Sequence, residues 1–426
     1  MRIGYDSPTV DGALYVTHTH PGFDGAYAYQ YTNPRHELLG SRESAWVGMY
    51  LDSKLPRFDI VGPDATKVLN TFFVNRDYAK LKKGASRHAL QCDENGFIVQ
   101  SGIIMREGEE HYRSYNIFPF LPEDSGFDVK WEFVPDFFIQ VDGPKSLEIL
   151  ENTFKADLHD LRFAHNKYVK FNGYDIFVHR IGMSGALAYE LHGDPAAGED
   201  LYNRICEVGK EYDIRRLGIR QYCSSHTPGG YPNPAIHMAV PAFAQFGMYM
   251  TGSANDDFTN YLVTPYDIGW GYLVKFDHDF VGKEALMKLS EGEHKVPVTL
   301  IWNAEDVGKV VAAEITDPAM AANEGIMAFN DCNPEWFRVH ADWVKDGDAI
   351  IGVASGRVID YYSNNFMSLG FISPESAEDG KELKVLWGNN GEKQMEIRAT
   401  VAKFPYYDGK YRNEKFDVEQ IPHVQL

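Results

Sequence analysis

Apolar and polar positions along the 426-residue chain follow two patterns. Up to about residue 290, short alternating runs trade places with stretches of helical spacing. From Val296 onward, strand-like runs dominate. The most regular feature of the first part is a repeat. Phe58-Asp59-Ile60-Val61 reads as a strand, Gly62-Pro63 as a turn, and Asp64-Ala65 with Val68 and Leu69 as a short helix. Phe138-Ile139-Gln140-Val141-Asp142, Gly143-Pro144 and Lys145-Ser146 with Leu147 and Leu150 repeat that pattern, Gly143-Pro144 standing 81 residues beyond Gly62-Pro63. Two copies predict two related α+β subdomains, since a solenoid needs more repeats.

Around the copies, Gly96–Met105 alternates as a strand broken by glycines, and Phe171-Asn172-Gly173-Tyr174 carries the Asn-Gly of a type I′ hairpin. Residues 195–215 read as a helix with Leu201, Ile205 and Val208 on one face. Arg42–Trp46 through Leu51-Asp52 reads as a helix running into a turn. Pro265 and Gly269 mark a turn before an expected strand, Tyr272–Phe276, then a polar Asp277-His278-Asp279 corner and a helix opened by Gly282-Lys283. Val298–Trp302, Ala349–Val353 and Leu383–Trp387 read as strands of a separate β-barrel. A chain this long exceeds one ordinary core. The expected division is 1–135, 136–290 and 291–426.

Composition narrows the function classes. A hydrophobic content of 44% fits packed globular domains, and a formal charge of −20 repels phosphate backbones, which excludes nucleic acid as the expected partner. No run has the length of a membrane span, and Met1–Asp6 lacks a secretory pattern, so a cytoplasmic protein is expected. Cys92, Cys206, Cys223 and Cys332 are dispersed, which argues against a disulfide framework and a zinc cage. Thr17-His18-Thr19-His20 would put two histidines on one strand face with no third ligand nearby, so no metal is expected.

The stretch Thr264–Leu286, with Thr264-Pro265-Tyr266-Asp267-Ile268-Gly269, Lys275-Phe276-Asp277 and Phe280-Val281-Gly282-Lys283-Glu284-Ala285-Leu286, closely resembles a segment of the glycine-cleavage T-protein superfamily. Lys275–Phe280 looks most like the tetrahydrofolate-dependent aryl O-demethylases within it, the vanillate type. Gly352-Val353-Ala354-Ser355-Gly356 and Ser368-Leu369-Gly370-Phe371 resemble the T-protein C-terminal domain, so the likeness runs from about residue 25 to about residue 405. It implies a duplicated α+β folate-binding core with a C-terminal β-barrel. It also implies tetrahydrofolate as methyl acceptor and a methoxy-aromatic substrate, giving 5-methyltetrahydrofolate and a phenol. An acidic surface opposes docking of an acidic lipoyl carrier protein, so that partner is not expected.

The resemblance also implies site residues. Glu190, in Gly182–Leu191, stands where the family has its pterin-binding glutamate; a carboxylate accepts the paired N–H groups of a pterin edge. Without that likeness it reads as a strand glutamate facing water. Asn116 aligns where it would hydrogen-bond the pterin, and Tyr272 as a wall. Tyr222, in Arg220-Gln221-Tyr222, matches an Arg-x-Tyr motif, with Tyr231 at the position of a tryptophan; Arg220 and Tyr231 would contact substrate. A phenol has a pKa suited to sharing a proton with a departing phenolate. Tyr29 is a second wall or donor. Three departures stand out. Ser101 replaces an acid, a histidine near residue 54 is missing with Lys54 in its place, and Asn116 replaces an arginine that would face a carboxylate. A substrate without a benzoate group is therefore open. So are an S- or N-methyl donor, an aminomethyl donor and folate binding without catalysis. Asp157-Leu158-His159 begins like a cobalamin motif, but Arg162 replaces its glycine, so no corrinoid is expected.

Overall fold

A computed structural model of the protein describes residues 10–18, 26–52, 57–121, 125–234, 236–241, 248–323, 325–327 and 338–424. Asn33 caps helix α1 (Pro34–Glu43) by accepting the His36 N–H at 2.8 Å, with Pro34 at the first helical position. The expected helix over 42–52 is thus the end of α1 followed, past Ser44, by strand β1 (Ala45–Asp52). Its first four residues, Ala45 to Gly48, are buried on both faces, so alternation does not show there in the sequence.

The first repeat copy is strand β2 (Arg57–Val61) and helix α2 (Ala65–Phe72). Strand β3 (His111–Tyr115) follows. The second copy is strand β4 (Phe137–Asp142) and helix α3 (Ser146–Phe154). Strand β5 (Ala188–Gly193), helix α4 (Pro195–Gly209) and helix α5 (Ile219–Ser224) complete the core. The two turns share one device. Gly62 has φ +146° and Gly143 φ +122°, and an added Cβ would meet the Asp128 carbonyl oxygen at 2.4 Å or that of Ser44 at 2.6 Å. Only glycine lets another chain segment cross so near.

Each copy heads its own sheet. A five-stranded sheet runs Ser86–Cys92, Ile98–Arg106, β3, β2 and Lys130–Phe133. A six-stranded sheet runs Asn166–Phe171, Tyr174–His179, β5, β4, β1 and Ile214–Leu217, the last pair parallel. The Asn-Gly hairpin forms as expected, with Phe171 opposite Tyr174 and positive φ at Asn172 and Gly173. One face of the larger sheet is apolar. Ala45, Val47, Ile139, Val141, Tyr189 and Leu191 pack there on Leu147, Leu150, Leu201 and Ile205 from α3 and α4.

Beyond residue 295, six strands close into an antiparallel barrel: Val296–Trp302, Arg338–Asp346, Ala349–Asp360, Asn365–Ile372, Glu382–Trp387 and Met395–Ala402. Pairing of Trp343 with Leu386 completes the ring. Leu300, Trp302, Val344, Val385, Trp387 and Ile397 fill it. The fold is therefore α+β with a C-terminal barrel, as expected. The stretch Tyr261–Leu286 differs from the expectation. Gly271–Leu273 is a single 3-10 turn and no strand covers 272–276. Val263, Ile268, Trp270, Phe280 and Leu286 instead join Leu90 and Ile98 of the smaller sheet to Val353 and Phe371 of the barrel. This motif is the joint between subdomains.

Candidate functional site

The face of the six-stranded sheet turned away from α3 and α4 is not a normal core. Strict alternation puts Trp46, Phe138, Gln140, Asp142, Glu190 and His192 on it, because their odd-numbered neighbours already face the helices. Registration pairs Glu190 with Gln140 and Ala188 with Asp142, so the two carboxyls are diagonal neighbours across β5 and β4. Across from them stand Tyr115 from β3 and Tyr222 from α5. Glu37, fully buried in α1, accepts the N–H groups of Tyr31 at 2.7 Å, Thr32 at 2.6 Å and Gly218 at 2.8 Å, and so fixes where α5 begins. The Tyr222 ring then meets Trp46 and His226 edge-on, at centroid distances of 6.2 and 5.5 Å.

Burial makes these groups hold protons. The Glu190 side chain is 13% exposed, and removal from water pushes its carboxyl up to about 8. Asp142 is wholly buried and held well above the usual carboxylate range, first by burial and further by Glu190; Gln140 Nε2 donates to both its oxygens, at 3.0 and 3.1 Å, and opposes the shift. The Tyr222 phenol is raised well above its ordinary value by burial, then by the charges of Glu190 and Asp142.

A second buried layer lies behind. Arg57 pairs with Asp136 and stands over the Tyr115 ring at 4.9 Å. Tyr115 stacks on His192 at 4.2 Å, and among the described residues its hydroxyl has no hydrogen-bond partner. His192 Nε2 lies 3.9 Å from Glu190; burial first and Arg57 second hold its imidazole neutral, well below its usual value. Gln140 Oε1 is also buried and has no hydrogen-bond partner among the described residues. The face therefore offers carboxyls, phenols and unpaired acceptors in a dry setting, which suits a heterocycle carrying both N–H groups and ring nitrogens, and proton transfer to a poor leaving group.

Of the residues singled out from the sequence, Glu190 and Tyr222 meet on this face. Arg220, two residues before Tyr222, donates to Gln30 Oε1 at 3.0 Å and stands over the Tyr29 ring at 5.8 Å. Asn116 follows Tyr115, exposed and with φ +55°. Tyr231 is stacked on by Arg412 at 5.1 Å, and Tyr272 is 67% exposed. Ser101 is buried on the strand Ile98–Arg106. Lys54 lies outside the described residues, as do Thr19 and His20. Sequence reasoning missed Asp142, Gln140, Tyr115 and His192. Asp142 and Gln140 were in plain view in the second repeat copy, where two polar residues at alternate positions mark a face that is not core.

Asp157, His159 and His423 form a group with the spacing of metal ligands. Both ring nitrogens of His159 are already engaged, with Glu151 at 2.8 Å and the Ile421 carbonyl oxygen at 3.1 Å, so the ring ties down the C-terminal segment. Among the described residues no helix is long and apolar enough to cross a membrane.

The sequence model described as "GCVT N-terminal domain" matches residues 28–232. A sesamin methylene transferase from Sinomonas sp. is 36% identical, over 94% of this chain and 95% of that protein. Syringate O-demethylase from Sphingobium sp. is 26% identical over 88% and 89%, and aminomethyltransferase from Thermotoga maritima 24% identical over 90% and 92%. In fold, the chain is similar to the glycine cleavage system aminomethyltransferase T of Bartonella henselae, with a TM-score of 0.69, 16% identity and coverage of 94% and 96%.

Proposed function

The chain belongs to the glycine-cleavage T-protein (GCVT) superfamily, and we propose that within it this enzyme moves a one-carbon unit from an aryl ether to tetrahydrofolate. The first substrate class is a methoxy-aromatic, giving a phenol and 5-methyltetrahydrofolate. The observation that carries the reading is the meeting of Glu190, Asp142 and Tyr222 on one buried face.

Tetrahydrofolate, when bound, supplies a nucleophilic amine nitrogen. The unpaired Gln140 Oε1 and the Glu190 carboxylate are acceptors for the N–H groups of its pterin edge, and the Tyr115 hydroxyl is a donor for its ring nitrogens. Asn116 adds a hydrogen bond and Tyr272 a wall toward the surface. Tyr222 Oη donates to the departing oxygen, with Tyr29 or Lys54 as a second donor. Arg220 and Tyr231 hold the aromatic substrate. Alignment of two bound molecules supplies much of the rate, as in any bimolecular reaction made unimolecular. The three parts 1–135, 136–290 and 291–426 serve this reading as two folate-binding halves and a barrel, working in the cytoplasm without a metal, a corrinoid or a lipoyl carrier.

A second reading has specific support. The relative at 36% identity is named for methylene, not methyl, transfer. A methylene carbon bridging two aryl oxygens releases two phenolic oxygens in turn, which needs two protons; this face holds two carboxyls and two phenols, Tyr115 and Tyr222. Incubation with a panel of methoxy- and methylenedioxy-aromatics separates the readings. Methyl-folate formation supports the first, methylene-folate the second, and no folate product from any member contradicts both.

A further inference from the structure

Asp142 is the least expected group on this face. It lies at the end of β4, fully buried, with Trp46 beside it on β1 and Ala188 on β5. The groups that favour its charged form by hydrogen bonding are neutral, the Ser184 side chain and the amide of Gln140. The charged or titratable groups around it are Glu190 on β5, Tyr222 on α5 and Arg42 on α1. Arg42 is committed elsewhere. It donates to the carbonyl oxygens of Gly185 at 2.8 Å and Ser184 at 2.9 Å and stacks over Tyr407 at 4.1 Å. The loop it holds closes over the acid. A Cβ on Gly182 would stand 2.3 Å from the Ala188 side chain and 3.5 Å from Asp142 Oδ2. Asp142 is thus sealed from water beside a second carboxyl.

We propose that Asp142 is a positioning residue that holds a proton for the transfer, acting through Glu190 and Tyr222. The inference rests on the one-carbon reading above. Two carboxyls at diagonal positions on one dry face, each disfavoured as an anion by burial, resist ionising together. When Glu190 binds the N–H groups of a ligand as an anion, the proton stays on Asp142. Alkylation of a secondary amine forms an N–C bond, breaks a C–O bond and frees one N–H proton, while the departing phenolate needs one O–H proton. The balance is therefore internal. The carboxyl pair takes the amine proton, Tyr222 gives its own to the oxygen, and the pair returns a proton to Tyr222. Glu190 thus recognises and Asp142 stores.

Asp142→Asn keeps the shape and one of the two bonds from Gln140 but cannot carry the proton. Expected are a fall of about 10²-fold in kcat, loss of one limb of the pH–rate profile, and a tetrahydrofolate Kd within about threefold of wild type. Infrared difference spectra between wild type and Asp142→Asn should show a protonated-carboxyl C=O band at neutral pH that persists on adding tetrahydrofolate. If Asp142→Asn does not fold, the same band must survive in Glu190→Gln. An Asp142→Asn enzyme with wild-type kcat and pH profile, or a wild type lacking the band at neutral pH, overturns the proposal. A wild type that turns over no aryl ether defeats the one-carbon reading, and the infrared arm then still decides whether Asp142 holds the proton.

Discussion

The two repeat copies share a strand, a Gly-Pro turn and a short helix, yet each strand carries one carboxyl, at a different position, and the two are treated in opposite ways. In the first copy, Asp59 receives a two-pronged ion pair from Arg113, at 2.6 and 2.9 Å, with His111 adding to it, and its carboxyl is held below the usual range despite partial burial. In the second, Asp142 is burdened first by burial and has no ion pair of its own among the described residues. Ser184 and Gln140 act on it as neutral groups, Glu190 adds to the burden, Arg42 is committed to backbone carbonyls, and the carboxyl is raised. One backbone unit is closed by a matched charge, and the other leaves charge demand unmet. Folding alone does not favour the second arrangement, since a buried unpaired acid is destabilising. The comparison makes β4 and β5, and not β2, the strands of the candidate site.

The largest effect that would break this contrast is on turnover. Tyr222→Phe removes only a hydroxyl, the one on this face that both carboxyls act on. We expect kcat to fall by about 10²–10⁴-fold with folate binding unchanged. The loss should shrink for substrates whose phenols are more acidic. Single-turnover rates at wild-type level would make Tyr222 a packing residue.

The next effect is on stability against pH. Glu190 titrates at about 8 in the folded chain against an ordinary 4.5. The folded state therefore holds the proton more tightly, and this contribution to stability is complete below pH 4.5 and lost as pH rises to about 8. Glu190→Gln should abolish that slope, a relative gain of about 3 kcal/mol at pH 8 over pH 5, read by chemical denaturation at both. Asp59 has the opposite sign. Its depressed carboxyl stabilises above its ordinary value of 3.8 and ceases to do so as pH falls through the lower folded value. Asp59→Asn should cost about 1–3 kcal/mol at neutral pH while leaving kcat unchanged. Smallest of all is the expected effect of dialysis against a chelator, which should leave turnover intact. Activity lost and then restored by one metal would make the Asp157–His159–His423 group a centre and not a tether.

Much of this was legible in the sequence, and unevenly so. Gly-Pro turns at matched spacing disclose the two copies because the turn demands glycine whatever the strand carries. The barrel shows in its uninterrupted strands, although the helix Ala304–Thr316 inside that region did not. Glu190 was visible only through a family likeness; on its own it reads as a surface strand residue. Asp142 was written in the repeat but needed the register of β4 on β5 to place it beside Glu190. Tyr115 joins the site from another sheet, a meeting no local pattern encodes. Tyr272–Phe276 looked like a strand by composition and is instead part of a joint whose bends at Gly269 and Gly271 override that preference.

Titration calorimetry with tetrahydrofolate on wild type, Glu190→Gln and Asp59→Asn tests the central claim most directly. If β4 and β5 carry the site, Glu190→Gln should weaken binding about tenfold or more, because an acceptor becomes a donor facing a donor. Asp59→Asn should bind as wild type does. Equal affinity in wild type and Glu190→Gln, or a loss confined to Asp59→Asn, would contradict the account.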